Sequence, residues 1–398
     1  MVDLPLLPKF RLVCPYCYGT FREWHIEFRC SGRPGLSGNR CEPEPDPLLE
    51  SYFLTTGDRL HTFRDGRHRY RSVCPQSGAE TTIRVCPICH STLPVHFGRI
   101  RSQLIALVGA RDTGKTVFMT VLLHEFGYRL GDRLGASVSG ADDETRSTFR
   151  RDYEQRLYEG RSLPDPTFTV AAERQGHRLP MVFKFVRQAR SRFRGRTRQT
   201  LLSFFDTAGE DLTTMASVHL NERYLRAADA IILILDPLQM AGGRRLAASE
   251  ALLQEPRPED DPYNVLQRIT EMLKSGKPDR PVPQPLAVVF TKLDALWQKF
   301  PESGALQRPE PQDDGFDELD SLDVHHHIQA LLHDWDGRQI DAYLQSNYRN
   351  FRYFGVSALG AIPTPDKRVS NAIVPYRVSD PILWLLSKTH TVPVIRRR

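Results

Sequence analysis

From residue 99 onward, short apolar runs alternate with stretches of helical periodicity. Ile100–Gly109 (IRSQLIALVG) reads as an apolar strand, and Lys115–Tyr128 (KTVFMTVLLHEFGY) carries helical spacing. Further apolar runs follow at Met181–Val186, Leu201–Phe205, Ala230–Leu235, Leu286–Phe290 and Phe351–Val356. Strand-sized runs interleaved with helical segments predict a mostly parallel α/β sheet. Asp142–Glu159 reads as one helix, and Ser379 as N-cap with Asp380, Pro381 and the run ILWLL signals a closing helix. Pro-rich or acidic insertions at Gln254–Tyr263, Pro281–Pro285 and Pro301–Asp320 predict surface loops or helix connections.

The first 98 residues have another pattern. Their apolar positions are scattered among turn-forming residues, and the stretch Glu42–Pro47 (EPEPDP) reads as loop. All seven cysteines, Cys14, Cys17, Cys30, Cys41, Cys74, Cys86 and Cys89, lie in this region. The division expected is a cysteine-rich module over 1–98 and a self-sufficient α/β domain over 99–398. Two domains suit a chain of 398 residues at roughly 100–200 residues per domain.

With 40% hydrophobic residues and a net charge of +6, the chain can bury a core, which excludes disordered, collagen-like and coiled-coil classes. Its apolar runs are far below the ~20 residues that cross a bilayer, and its N-terminus (MVDLPLLPKFRLV) lacks an export-signal pattern. A cytoplasmic protein is expected, where stable disulfides are uncommon. Clustered thiols in Cys14-Pro-Tyr-Cys17 and Cys86-Pro-Ile-Cys89 therefore point to zinc, since a tight turn aims two thiolates at one ion. Local spacing suggests two structural sites: Cys14, Cys17, Cys30 and Cys41 in one, and Cys74, Cys86 and Cys89 in the other. The second resembles a zinc-ribbon pair in which Ser77 replaces a cysteine, with His68 chosen over His61 and His90 as fourth ligand. The rival partition joins both CxxC pairs in one site and leaves Cys30, Cys41, Cys74 and a histidine for the other. The CxxCH string Cys86–His90 also matches haem attachment, a process that takes place outside the cytosol. A thioredoxin-like pair would require a βαβ context that is missing here.

Gly109-Ala-Arg-Asp112-Thr113-Gly114-Lys115-Thr116 satisfies GxxxxGK[ST] between the first strand and the first helix. A loop of backbone N–H groups at a helix N-terminus can surround a phosphate chain; Lys115 would neutralise the β- and γ-phosphates and the Thr116 hydroxyl would ligate Mg2+. Asp206-Thr-Ala-Gly209 closes another strand, placing Asp206 to hold magnesium through water and Gly209 to offer an N–H and a hinge. Thr291-Lys292-Leu-Asp294 follows a third strand. A carboxylate there accepts from guanine N1–H and the 2-amino group, so Asp294 selects guanine, and the Lys292 stem would cover the base. Ser357-Ala358-Leu359 would present the Ala358 N–H to guanine O6. GTP or GDP, Mg2+ and two zinc ions are the expected cofactors.

With these motifs in order, residues 99–398 resemble the Ras-like GTPases of the translation-factor-related class. The chain is most similar to the bacterial double-GTPase family, type 2, on the segments CPICHSTLP, LPDPT and DPILWLL. That resemblance implies a Ras-like P-loop GTPase domain preceded by a small zinc-ribbon-like domain. It further implies a GTP-driven switch working with protein effectors or companion GTPases in bacterial signalling or conflict systems.

Glu210 stands where Ras-like proteins carry a water-orienting glutamine. A carboxylate cannot donate to the transition-state oxygens, so slow hydrolysis is expected. Thr167 is the switch threonine chosen, with Thr169 as alternative, and Arg161 is a candidate catalytic arginine in cis. Arg111 in the phosphate loop faces either a phosphate or solvent. Arg190, Arg192, Arg194, Arg196 and Arg198 alternate on an expected hairpin. They suit an acidic partner, nucleic acid or an anionic membrane, or simply protect a sheet edge, and the last reading is preferred. His325–His327 is expected to be solvated.

Overall fold

The computed structural model describes residues 11–53, 57–66, 70–164, 180–189, 196–206, 222–247, 257–274, 279–300, 304–364, 366–370 and 372–396. The chain divides into two compact units, centred on Met1–Ser102 and on Gln103–Thr169 with Phe183–Arg398.

In the first unit, hairpins of two-residue strands, Leu12–Val13 with Thr20–Phe21 and Ser72–Val73 with Glu80–Thr81, enclose the turns that begin at Cys14 and Cys74. A bridge between Val85 and Thr92 encloses the turn that begins at Cys86. Glu27–Arg29 pairs antiparallel with Thr62–Phe63 and with Arg84–Val85. Strands this short cannot align a large apolar face, and the buried core is correspondingly small, with Phe28, Val85, Leu93 and Phe97 among its members. The stretch Glu42–Pro47, expected as loop, contributes the strand Glu44–Pro45 and the first residue of a helix, Pro47–Phe53. Proline is tolerated in both places, on an edge strand and in the first turn of a helix.

Among the described residues the main sheet has seven strands: β1 (Arg101–Gly109), β2 (Ala136–Gly140), β3 (Met181–Ala189), β4 (Arg196–Asp206), β5 (Ala230–Leu235), β6 (Leu286–Phe290) and β7 (Phe351–Gly355). Their order is β2-β3-β4-β1-β5-β6-β7. β1, β5, β6 and β7 run parallel, and β2 pairs antiparallel with β3. Every residue of β5 and β6 is buried, as befits central parallel strands with both faces covered. The apolar runs thus became strands, with shifts at the ends. β2 (ASVSG) was not legible, because small and polar residues at a half-exposed edge carry little hydrophobic signal.

Helix α1 (Lys115–Gly127) follows β1; α2 (Pro262–Lys274), α3 (Glu318–Asp334), α4 (Arg338–Asn347) and α5 (Asp380–Lys388) follow later. Asp142 caps the helix predicted over Asp142–Glu159 by accepting from Thr145 N–H at 2.6 Å, and the helix widens to π geometry from Phe149 to Glu159. The insertion Pro301–Asp320 is more than a surface loop. Leu306 is wholly buried, Phe316–Asp317 pairs with Val394–Ile395, and α3 starts inside the insertion. The expected cap at Ser379 is positional only, since its side chain makes no capping hydrogen bond. Beside it, the fully buried Arg377 is neutralised by Asp320 at 2.6 Å and Asp380 at 2.8 Å. His325 also departs from expectation: it accepts from Tyr353 N–H at 3.0 Å and lies against the Tyr353 ring. Burial there lowers its pKa to about 4, so the imidazole is neutral near pH 7.

Candidate functional site

Register brings the chemistry to one edge of the sheet. Gly109 lies opposite Ile234, Ile234 opposite Val289, and Val289 opposite Phe354, so the loops after β1, β5, β6 and β7 emerge side by side. The chain winds from β1 through β2, β3 and β4 on one side, then crosses to β5 on the other. That reversal makes β1 a topological switch point, where crevices at the carboxyl ends of α/β strands take ligands.

The loop after β1 has its shape for local reasons. A Cβ at Gly109 would collide with the Ile234 carbonyl oxygen, so this glycine permits close strand packing as much as ligand approach. Gly114 at φ +85° precedes α1 in a left-handed conformation that favours glycine. Asp112 shares that region at φ +56°. Thr113 is fully buried; its hydroxyl donates to Ala110 C=O at 2.9 Å and so shapes the loop. The Lys115 ammonium is buried within the turn, donating to Gly109 C=O at 2.9 Å and Ala110 C=O at 2.6 Å. Thr116 follows in the first turn of α1. Arg111 pairs with Asp112 at 3.5 Å, on the solvent-facing side of the two alternatives left open for it.

The loop after β6 is tied to the phosphate loop directly. The Thr291 hydroxyl donates to Thr113 C=O at 2.6 Å, and Lys292 Nζ donates to Asp112 C=O at 2.7 Å. Lys292 also pairs with Asp236 at 2.6 Å. Asp236 is a site residue that sequence reasoning missed. It is buried at the end of β5 and caps the next turn by accepting from Leu238 N–H at 2.8 Å. The available signal was a carboxylate placed directly after the apolar run AIILIL. Asp294 accepts from the Ser357 hydroxyl at 2.6 Å, and that hydroxyl in turn accepts from Gly360 N–H at 3.0 Å. Burial raises the Asp294 pKa, while the Ser357 hydrogen bond opposes the rise. Ala358 lies between Ser357 and the buried Leu359, whose carbonyl accepts from Val374 N–H.

Asp206 ends β4. Thr167, Thr169, Gly209 and Glu210 lie outside the described residues, as do Arg190, Arg192 and Arg194. Arg161 is exposed at φ +48°. Arg198 donates to the His390 carbonyl. A threonine hydroxyl and an aspartate carboxylate, the residue types at positions 116 and 206, are oxygen donors of the kind that suit a hard cation such as Mg2+.

In the first unit, Cys14, Cys17, Cys86 and Cys89 are buried with their sulfurs within 4.8 Å of one another. Cys14 and Cys89 sulfurs lie 3.9 Å apart, and those of Cys17 and Cys86 3.8 Å apart. Four thiolates about 2.3 Å from one tetrahedral ion sit about 3.8 Å from each other, so this set fits zinc. N–H groups of Tyr16 and Ile88 donate to Cys14 and Cys86 sulfur at 3.4 Å, as expected of ligand-supporting turns. Cys30, Cys41 and Cys74 form a second cluster. The preferred pairing by sequence proximity is therefore corrected to the rival one: the two CxxC turns, 69 residues or more apart in sequence, share one site. His68 lies outside the described residues. His90 is engaged elsewhere, with Nδ1 at 2.9 Å from Asp46 and Nε2 at 3.4 Å from Glu27.

A phosphate-loop turn at a switch point, tied to a carboxylate-bearing loop two strands away, defines a GTPase-like α/β domain. The chain belongs to the Double-GTPase 2 family, whose profile matches residues 103–333. It is 30% identical over 322 residues to a Mycolicibacterium smegmatis protein, SaeC, whose name carries a provisional assignment as an ESX-1 scaffolding and assembly protein; the match spans 77% of this chain and 80% of that one. Solved structures similar to it include the GTP-bound Ski7 GTPase-like domain of S. cerevisiae, at 11% identity and TM-score 0.33 over 73% of this chain and 50% of that chain. Another is Sup35 complexed with GDP, at 12% identity and TM-score 0.25 over 66% of this chain. The present chain spans 38% of the Sup35 chain. No helix among the described residues is long and apolar enough to cross a membrane.

Proposed function

We propose that this protein is a GTP-binding switch that hydrolyses GTP slowly and uses a zinc-stapled module to dock protein partners in the cytoplasm. The observation that carries the reading is the direct tie between the phosphate loop and the base-selecting loop, the 2.6 Å bond from Thr291 to Thr113. It sets Lys115 and Asp294 in a fixed relation at one sheet edge. In this reading the loop N–H groups and Lys115 bind the phosphates, and Thr116 and Asp206 hold magnesium. Asp294, oriented by Ser357, accepts from guanine, and Lys292, braced by Asp236, covers the base. The two cysteine clusters hold zinc for structure, since filled coordination leaves no position for a substrate.

The test is GTP turnover by wild type and Lys115→Ala. Loss of one phosphate-charge donor is expected to cut turnover by about 10²–10³. Equal rates would assign the activity to a contaminant. Identification of the nucleotide carried through purification checks the base: ATP would overturn the role given to Asp294.

A second reading has specific support in Glu210 and in the scaffolding name carried by the Mycolicibacterium smegmatis relative. It is a non-hydrolysing GTP-bound scaffold, for which bound nucleotide stays GTP and single-turnover rates are negligible. Nucleic-acid binding through the arginine ribbon is the least favoured alternative, and it predicts binding that weakens steeply with salt.

A further inference from the structure

Three turns in the first unit share one backbone pattern. Cys14 N–H donates to Gly19 C=O at 3.0 Å and Tyr18 N–H to Cys14 C=O at 3.1 Å, with Tyr18 at φ +58°. Cys86 N–H donates to Ser91 C=O at 3.0 Å and His90 N–H to Cys86 C=O at 2.9 Å, with His90 at φ +56°. Cys74 N–H donates to Ala79 C=O at 2.9 Å and Gly78 N–H to Cys74 C=O at 2.9 Å, with Gly78 at φ +73°. In the first two turns the fourth residue is a ligand cysteine, Cys17 or Cys89. In the third it is Ser77, carried on the same backbone and therefore aimed the same way.

Ser77 is 1% exposed. Its hydroxyl oxygen lies 3.6 Å from Cys30 sulfur, and Cys41 and Cys74 sulfurs lie 3.7 Å apart. Around an ion about 2.3 Å from sulfur and about 2.1 Å from oxygen, tetrahedral S···O neighbours are about 3.6 Å apart and S···S neighbours about 3.8 Å. Both observed separations match those edges. His61 is the competing ligand, with Nε2 3.5 Å from Cys74 sulfur, yet it does not join the set in which all donor atoms lie within 4.8 Å. The Ser77 oxygen also accepts from Ala79 N–H at 3.3 Å, a bond that fixes its direction.

We infer that the Ser77 hydroxyl oxygen, not a histidine, completes the second metal site, giving a three-thiolate, one-oxygen zinc centre beside a four-thiolate one. The inference rests on reading both cysteine clusters as metal sites. Its chemistry follows from charge: three thiolates around a divalent ion leave one net negative charge, where four leave two. A neutral hydroxyl is also the weaker donor. The second ion is therefore the more exchangeable and leaves first to a chelator.

The experiment loads the full chain with Co2+ as a spectroscopic probe and follows ion count, ligand-field bands and release to a chelator. Wild type is expected to bind two ions with two release phases. Ser77→Cys is expected to convert the fast phase to a slow one, by about 10–100-fold, the range over which ligand surroundings move metal affinity. Its bands would gain the signature of a second four-sulfur site. His61→Ala is expected to leave count, bands and release unchanged. The inference is overturned if His61→Ala loses the second ion or shifts its bands, or if Ser77→Cys changes neither bands nor release. One ion in wild type, retained on the CxxC pairs, also overturns it. No ion at all overturns the underlying metal reading instead.

Discussion

The cysteine-bearing unit is held by strands of two or three residues around two clusters of thiols, whereas the second unit has strands of up to eleven residues and a continuous apolar interior. In the first, ordered backbone hydrogen bonds end after one turn, and in the zinc reading proposed above metal coordination adds to a small core. In the second, β5 and β6 bury every residue, and burial of apolar surface is sufficient. In that reading, order depends on a ligand in one unit and not in the other. A functional consequence follows from the same reading: the loops proposed to bind nucleotide stand on a frame built by apolar burial.

Metal removal is expected to have the largest effect. Structural zinc contributes on the order of 10 kcal/mol to folding in small zinc domains. A strong chelator, or Cys86→Ser, should abolish hydrogen-exchange protection in the strands Glu27–Arg29, Thr62–Phe63 and Arg84–Val85 while β5 and β6 keep theirs. Joint loss of protection in both units would break the contrast.

Next comes Asp294→Asn. Two hydrogen bonds to a charged acceptor, each contributing about 1.5–3 kcal/mol, are replaced by one neutral acceptor and a misplaced donor. GDP affinity measured by calorimetry should fall by about 10–100-fold or more, with the fold intact by circular dichroism. Unchanged affinity would remove Asp294 from the site.

A smaller effect is expected on acidification. Burial raises the Asp294 pKa, so this carboxylate takes up its proton at a higher pH than an exposed aspartate. Guanine donors need the ionised form. Nucleotide affinity should therefore be full above the raised pKa and decline as pH falls through it, by at most about tenfold per pH unit for one coupled proton. For folding the sign reverses, because protonation relieves the cost of a buried charge. Affinity that is flat across this range would argue against a carboxylate acceptor.

The smallest predicted change is in Thr291→Val, a near-isosteric swap that deletes the donor to Thr113 and leaves its carbonyl without this bond. A loss of about 0.5–1.5 kcal/mol, the net worth of one neutral hydrogen bond, is expected in thermal unfolding of the metal-loaded protein. It should be accompanied by a larger loss of affinity for whole GDP than for isolated phosphate. Equal weakening of both ligands would mean that the tie does not set phosphate and base loops relative to each other.

Much of the second unit was legible because its signals are local. Runs such as AIILIL and LAVVF are short, rich in β-branched residues and bounded by turn signals, which reads as buried strand, and the GxxxxGK[ST] turn lies within one short segment between strand and helix. Edge strand β2 was hidden by its small and polar residues. Asp236 was hidden because a lone carboxylate after a strand has no meaning until Lys292, 56 residues later, is brought beside it. The zinc partition failed for a related reason. Proximity along the chain favoured Cys14 and Cys17 with Cys30 and Cys41, yet thiols pair by the direction in which their turns aim them.

The sequence by itself determined which chemical groups are available here: which turns carry paired thiols, which turn between strand and helix has the GxxxxGK[ST] pattern, and which carboxylate follows the strand LAVVF. Each is written in a few neighbouring residues whose backbone geometry is set locally. Tertiary structure alone decided how those pieces combine. Only the packed first unit shows that Cys14 and Cys17 meet Cys86 and Cys89, and that Ser77 faces Cys30. Only strand register sets Thr291 against Thr113 and Lys292 against Asp236. The physical reason is that coordination and hydrogen bonding act over a few ångströms, a distance the chain sets by folding and not by its order of residues.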